Sequence, residues 1–244
     1  MYGAGLLMDF EGRLRATGGN NARKTSVYAS GSWSLGPDMA PACSPAILLP
    51  PVEIKKADPL SSITPERILE RVPAKAMNWF RTTGSGSQSS AGDRNDDSMC
   101  GDAAMYDAAS GKILTVGGGP DYQGAGTDSA HIVTLNNTNQ KAAIRKIGSM
   151  AYKRIFSSAV VLPDGQVLVV GGQSVGDPSS DDNAILTPEL FSPATNTFTK
   201  VATHSVPRAY NSFALLRTDG AVLVGCGSLR GSSCSSNHFD AQDY

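Results

Sequence analysis

Short apolar runs broken by Asp-Gly and Ser-Gly pairs set the pattern of this chain. Three segments share it. Ala103-Ala104-Met105-Tyr106-Asp107 leads through Ser110-Gly111 to Lys112-Ile113-Leu114-Thr115-Val116-Gly117-Gly118. Ser158-Ala159-Val160-Val161-Leu162 leads through Asp164-Gly165 to Gln166-Val167-Leu168-Val169-Val170-Gly171-Gly172. Ser212-Phe213-Ala214-Leu215-Leu216 leads through Asp219-Gly220 to Ala221-Val222-Leu223-Val224-Gly225. In each, a short apolar strand meets a hairpin signal and returns as a second strand rich in β-branched residues. The second strand is apolar at nearly every position, which suits burial on both faces. Glycines 117, 171 and 225 recur every 54 residues and end that strand where neighbouring backbones crowd.

Two further strands follow in the second copy. Pro188-Glu189-Leu190-Phe191 and Thr197-Phe198-Thr199-Lys200-Val201 flank the turn Ser192-Pro193-Ala194-Thr195-Asn196. Four strands per period make one propeller blade, and a period of about 50 ending in Gly-Gly is the kelch signature. The N-terminus carries another copy. Leu6-Leu7-Met8-Asp9 and Glu11-Gly12 lead to Arg13-Leu14-Arg15-Ala16-Thr17-Gly18-Gly19, with Val27-Tyr28 and Ser32-Trp33 completing it. The predicted fold class is all-β: an incomplete kelch-type β-propeller of about four four-stranded antiparallel blades.

Gly18 and Gly117 lie almost two periods apart, yet no hairpin for a blade between them is legible. Residues 43–73 read as Pro-rich coil with one helical stretch, Thr64-Pro65-Glu66-Arg67-Ile68-Leu69-Glu70-Arg71. Thr64 suits the N-cap and Pro65 the first helical position. The stretch reads either as an insertion or linker, or as foreign sequence. The predicted organisation is a first blade over 1–42, an irregular insert or misjoined linker over 43–75, and about three kelch-type blades over 76–244.

Composition mainly excludes. The 244 residues include 26 Gly and 14 Pro, are 18% charged and carry a net charge of −1. That mix suits strands and turns and shows no nucleic-acid footprint. No apolar run approaches the roughly 20 residues of a membrane-spanning helix, so neither nucleic acid nor membrane is an expected partner. Met1-Tyr2-Gly3-Ala4 has no basic region, and Asp9 and Glu11 follow closely, which predicts no signal peptide and a cytoplasmic chain if the sequence is complete. Cys43, Cys100, Cys226 and Cys234 form no C-x-x-C pair, and His131, His204 and His238 have no zinc-site spacing. Cys226 and Cys234 flank a Gly/Ser-rich loop and could bridge or stay free. The Asp93-Arg94-Asn95-Asp96-Asp97 cluster lacks EF-hand spacing and reads as a solvated loop. Gly117-Gly118-Gly119 is no phosphate loop, because neither Lys-Ser/Thr nor a helix follows.

Ordered strings along most of the chain carry a resemblance. They include Thr17-Gly18-Gly19-Asn20, Gly36-Pro37-Asp38-Met39, Ala76-Met77-Asn78-Trp79, Met99-Cys100-Gly101, Pro120-Asp121-Tyr122-Gln123, Val160-Val161-Leu162-Pro163-Asp164-Gly165 and Asn237-His238-Phe239-Asp240-Ala241-Gln242. In that order the chain resembles the central part of the galactose oxidase family of copper radical oxidases. The resemblance implies a propeller, an extracellular setting, and oxidation of a sugar or other primary alcohol to an aldehyde with O2 reduced to H2O2. It also implies one copper ion held by two tyrosines and two histidines, with one tyrosine joined to a cysteine through a thioether.

Residue by residue, the resemblance carries little of that centre across. Gly3 stands where the thioether cysteine belongs, and no tyrosine follows Gly36-Pro37-Asp38-Met39 promptly. The family's Tyr-His pair reads Tyr210-Asn211. Tyr210 is therefore the one catalytic and metal-site position that the resemblance retains, placed at the start of a predicted strand. Tyr122, Gln123 and Phe156 match the substrate pocket wall. Against this stand plainer readings: Tyr210 as a half-buried structural tyrosine, Phe156 as core, Trp33 and Trp79 as blade-packing aromatics, and His131 and His238 as structural histidines. Two functions follow. One is a galactose oxidase-like protein, truncated and inactive, that binds no copper itself. The other is a kelch-repeat module that holds a protein or glycan without catalysis. Bare blade faces also predict self-association.

Overall fold

The computed structural model describes residues 5–8, 13–17, 24–38, 47–48, 67–71, 76–81, 88–94, 96–137, 139–178, 180–227 and 242–243. Within them the secondary structure is all β. Four four-stranded sheets and one three-stranded sheet follow one another along the chain, in keeping with the predicted partial propeller.

The first sheet orders β1 (Gly5–Met8), β2 (Leu14–Thr17), β3 (Thr25–Ala29) and β4 (Ser32–Leu35) consecutively. The second contains β5 (Ile47–Leu48), β6 (Arg67–Arg71), β7 (Ala76–Arg81) and β8 (Gln88–Asp93). The third contains β9 (Asp102–Asp107), β10 (Lys112–Val116), β11 (Ala130–Thr134) and β12 (Ala143–Lys146). The fourth contains β13 (Ile155–Val161), β14 (Val167–Gln173), β15 (Glu189–Ser192) and β16 (Thr197–Lys200). The last contains β17 (Phe213–Leu216), β18 (Val222–Gly225) and β19 (Gln242–Asp243).

One expectation is overturned. The predicted helix over Thr64–Arg71 is, at Arg67–Arg71, the strand β6. Its backbone pairs antiparallel with β7 from Arg67↔Arg81 to Arg71↔Met77, and β5 pairs on its far side. A helix of two turns is marginal by itself, and a five-residue ladder to the strand that follows outweighs a local cap. Strands of a further blade thus lie where sequence reading found coil. Gly18-Gly19 and most of 43–75 lie outside the described residues.

The chain forms two compact units. One comprises Met1–Asp96, Asp107–Ile113 and Val133–Ile144, and the other Asp97–Tyr106, Leu114–Ile132 and Arg145–Tyr244. In the first, Trp79 is buried and its indole N–H donates to Gln140 O at 2.8 Å. Trp33, expected to pack between blades, instead lies 56% exposed against Tyr28 of its own sheet. In the second unit, β14 is buried at all seven positions, as its apolar run predicts. Val167 and Val169 join Leu114, Val116, Ile132 and Phe191 on one face, and Leu168 and Val170 join Val160, Val222 and Val224 on the other.

Backbone geometry corrects the glycine repeat. Gly117 and Gly171 have φ of 61° and 70°, but in the third copy the left-handed residue is Cys226, at φ 59°. Gly225 is the last residue of β18, opposite Phe213. The hairpins explain the slip: Val161↔Val167 and Leu216↔Val222 are equivalent pairs, and the same offset carries Gly171 onto Cys226.

A candidate aromatic site and its family

Three of the four predicted site residues meet in space. The ring centroids of Tyr122 and Phe156 are 5.3 Å apart, those of Phe156 and Tyr210 5.1 Å, and those of Tyr122 and Tyr210 5.8 Å. All three pairs pack edge to face, a favourable arrangement for aromatic quadrupoles. Each ring is half-buried, so the cluster presents an aromatic surface to solvent. Gln123 is exposed beside Tyr122.

Two backbone devices place these rings. Cys100, Phe156 and Asn211 precede or begin the first strands of successive sheets, and all three take left-handed φ, at 55°, 63° and 60°. The Phe156 N–H donates to Cys100 O at 2.9 Å, linking neighbouring repeats at this point. The loop bearing Tyr122 is tied to the loop after β14. Gly126 N donates to Ser174 O and Gly176 N to Gly124 O, both at 2.9 Å. A Cβ on Gly176 would lie 2.7 Å from Tyr122 O and 3.3 Å from Phe156 Cε2, so only a glycine lets this loop reach the cluster.

Buried arginines, which sequence reasoning missed, anchor the backbone beside two of the rings. Arg154 is fully buried two residues before Phe156. Its guanidinium donates to Gly171 O at 2.7 Å, Thr187 O at 2.6 Å and Glu189 Oε2 at 2.9 Å. Burial pushes its pKa down, and the Glu189 carboxylate pulls it back. Arg208, two residues before Tyr210, donates to Cys226 O at 3.2 Å. The main-chain carbonyls of Arg154 and Arg208 accept from Gly118 N and Gly172 N, each at 2.7 Å. Arg154-Ile155-Phe156 and Arg208-Ala209-Tyr210, one period apart, were the legible signal.

Other expectations sort plainly. Tyr210 lies in a turn before β17, not in a strand, and Phe156 belongs to the aromatic cluster rather than to either hydrophobic core. Cys226 is a free, exposed thiol, while Cys234 and His238 lie outside the described residues. Arg94 is buried, so the acidic cluster around it is not simply a solvated loop. The N–H groups of Gly117, Gly118 and Gly119 donate to Ser129, Arg154 and Met99 carbonyls, which leaves no donor for a phosphate. A cavity of about 700 Å³, lined by Leu162, Leu168, Leu190, Val201, His204 and Val222 among others, lies away from the aromatic cluster.

Among the described residues, the donors beside Tyr210 do not fit a copper centre of two tyrosines and two histidines. Beside Tyr210 stands Asn211, whose amide is a poor ligand for Cu(II) compared with imidazole. Among the described residues, no group of three or more His, Cys, Asp or Glu side chains is gathered. His131 is buried in β11, and His204 Nδ1 is 2.7 Å from Val206 O.

The family model described as glyoxal oxidase N-terminus matches residues 104–240. Galactose oxidase of Gibberella zeae is 36% identical over 303 residues, covering 99% of this chain and 44% of that protein. That alignment is longer than the chain by more than one repeat. Aldehyde oxidase GLOX1 of Arabidopsis thaliana is 31% identical over 96 residues, which is 36% of this chain and 15% of that protein. The chain thus spans less than half the length of these curated relatives. Among solved structures, a fungal alcohol oxidase of the AA5 family in complex with copper is similar over the whole chain and 62% of its own, with a TM-score of 0.78 and 35% identity. The repeated blades, the ordered strings and these matches agree: the chain belongs to the galactose oxidase-like family of copper radical oxidases.

Proposed function

We propose that this chain keeps the family's substrate-facing aromatic wall without its copper-radical chemistry. Tyr122, Phe156 and Tyr210, with Gln123 at the edge, would take the apolar face of a sugar or other primary alcohol, and the Gln123 amide would bond a hydroxyl. The observation that carries the reading is the three-ring cluster, with centroids 5.1 to 5.8 Å apart, drawn from separate repeats. When present in a relative, copper supplies one-electron chemistry toward O2. Here Asn211 stands in the histidine position of the resemblance, and Gly3 in that of the thioether cysteine. An extracellular setting for the parent protein belongs to the same reading.

Two measurements test it. Purified chain with Cu(II) and galactose under air is expected to release no H2O2 beyond a protein-free copper control. Turnover that survives dialysis would refute the loss of chemistry. Calorimetric titration with galactose is expected to show weak binding that Tyr122→Ala diminishes by about fivefold, the equivalent of one aromatic contact of roughly 1 kcal/mol. Equal affinity of the variant would refute the aromatic wall and leave the copper result untouched.

A further inference from the structure

The first and last sheets expose the two halves of an interface that the molecule already forms internally. The fourth sheet shows both halves occupied. On one face, the cross-strand column Val167–Phe191–Phe198 turns toward the preceding sheet. Val167 and Phe191 are fully buried there, and Phe191 meets Tyr106 of β9 edge to face at 5.8 Å. On the opposite face, the column Val160–Leu168–Leu190 is covered by Val222 and Val224 of the next sheet.

The first sheet repeats the receiving column. Leu14 pairs with Tyr28, and Tyr28 with Trp33. Tyr28 and Trp33 pack in a tilted pair at 5.3 Å with their planes at 51°, nearly matching Phe191 and Phe198 at 5.2 Å and 46°. Yet Trp33 is 56% exposed, and Leu35, on the same face, is 77% exposed. The last sheet repeats the donating column. Leu215 pairs with Leu223, as Val160 pairs with Leu168. Val160 is 9% exposed, whereas Leu215 is 57% exposed, with Phe213 exposed beside it.

We propose that a second copy of this chain covers these faces head to tail, the Phe213/Leu215 face of one copy seating on the Leu14/Trp33/Leu35 face of another. The complementarity is of a kind the chain itself demonstrates, since such columns meet between the third and fourth sheets and between the fourth and fifth. Contiguous apolar faces of this sort are seldom left in water. A donating face and a receiving face on one chain make a heterologous contact, which can repeat from copy to copy.

Light scattering coupled to size exclusion tests this on the full chain. The wild-type chain is expected to elute as species heavier than its 25.4 kDa, growing with concentration. Trp33→Lys and Leu215→Lys each remove one half, so each variant alone is expected to run as a monomer with an unchanged far-ultraviolet spectrum. Mixed, they retain one intact pair of faces and are expected to form a one-to-one dimer and nothing larger. Tryptophan emission gives a second readout. Trp79 is already buried, so a red shift on dilution of the wild-type chain reports exposure of Trp33. A wild-type monomer at all concentrations, oligomers that persist in either variant, or a mixture that stays monomeric would each overturn the proposal. The first of these results is the one expected if further blades or the chain's own faces occupy the surface instead.

Discussion

Single residues in this chain carry unusual burdens, and the largest is the Arg154–Glu189 pair. Both side chains are essentially inaccessible, and their N–O separation is 2.9 Å. Removing one partner strands a buried charge, which costs about 3–5 kcal/mol. Arg154→Met is therefore expected to lower the urea midpoint sharply. It should also disturb Phe156, because the guanidinium holds the backbone two residues away. Cys226 makes the opposite prediction. A non-glycine residue at φ 59° carries about 1–2 kcal/mol of strain, and Gly117 and Gly171 hold the equivalent positions in the other repeats. Cys226→Gly is expected to raise the melting temperature in a thermal melt, the relief of backbone strain exceeding the added unfolded-state entropy of glycine. His204 adds a pH dependence. Its burial, foremost, holds its pKa below the ordinary histidine value of 6.5. Above that value both folded and unfolded chains hold the ring neutral. As the pH falls through it, the unfolded chain takes up a proton that the folded site resists, so stability declines below about pH 6.5. A thermal melt series from pH 7.5 to about 5 checks this, and His204→Asn should flatten the slope.

At the scale of elements, the second strand of each repeat does most of the joining. β14 is buried on both faces because its alternate residues serve different neighbours: Val169 the core shared with β10 and β11, Val170 the core shared with β18. Val169→Ala is expected to cost about 2 kcal/mol, the transfer term for the lost methyl groups plus a small cavity. Val170→Ala should cost a similar amount, and chemical denaturation of both variants measures it. A Thr at either position would cost no less, since its hydroxyl would find no water. Loops obey the same economy. The buried Gln173 amide donates to Asp177, Ser180 and Asp182 carbonyls at 3.2, 3.0 and 2.8 Å, so one side chain shapes the loop that backs Tyr122.

For the whole molecule, sheets follow one another in chain order, and each repeat lends only part of any site. The aromatic cluster draws Tyr122 from the turn after β10, Phe156 from β13 and Tyr210 from the turn before β17. A site assembled this way is lost in pieces. Tyr210→Ala should leave the Tyr122–Phe156 contact standing but reduce sugar affinity, whereas replacing Gly176 by Ala should displace Tyr122 and Phe156 together. Comparing the two variants by titration with galactose separates a residue that lines the wall from one that positions it. The expected order of loss places Gly176→Ala at least level with Tyr210→Ala.

The sequence by itself determined the repeat, the hairpins and the doubly buried second strands. Those features rest on neighbours: alternation, β-branching and the turn chemistry of Asp-Gly and Ser-Gly act within a few residues of where they are written. It also marked Tyr122, Gln123, Phe156 and Tyr210, although only by resemblance. Strand pairing and tertiary structure decided what signals within a single segment leave open. Arg67–Arg71 carries helix signals and becomes strand because β7 offers it a ladder. The left-handed turn of the third repeat falls on Cys226 instead of Gly225 because the β17–β18 register sets the count. Tyr122, Phe156 and Tyr210, far apart in the chain, touch because loops from neighbouring repeats are bonded backbone to backbone, and no local pattern encodes that distance.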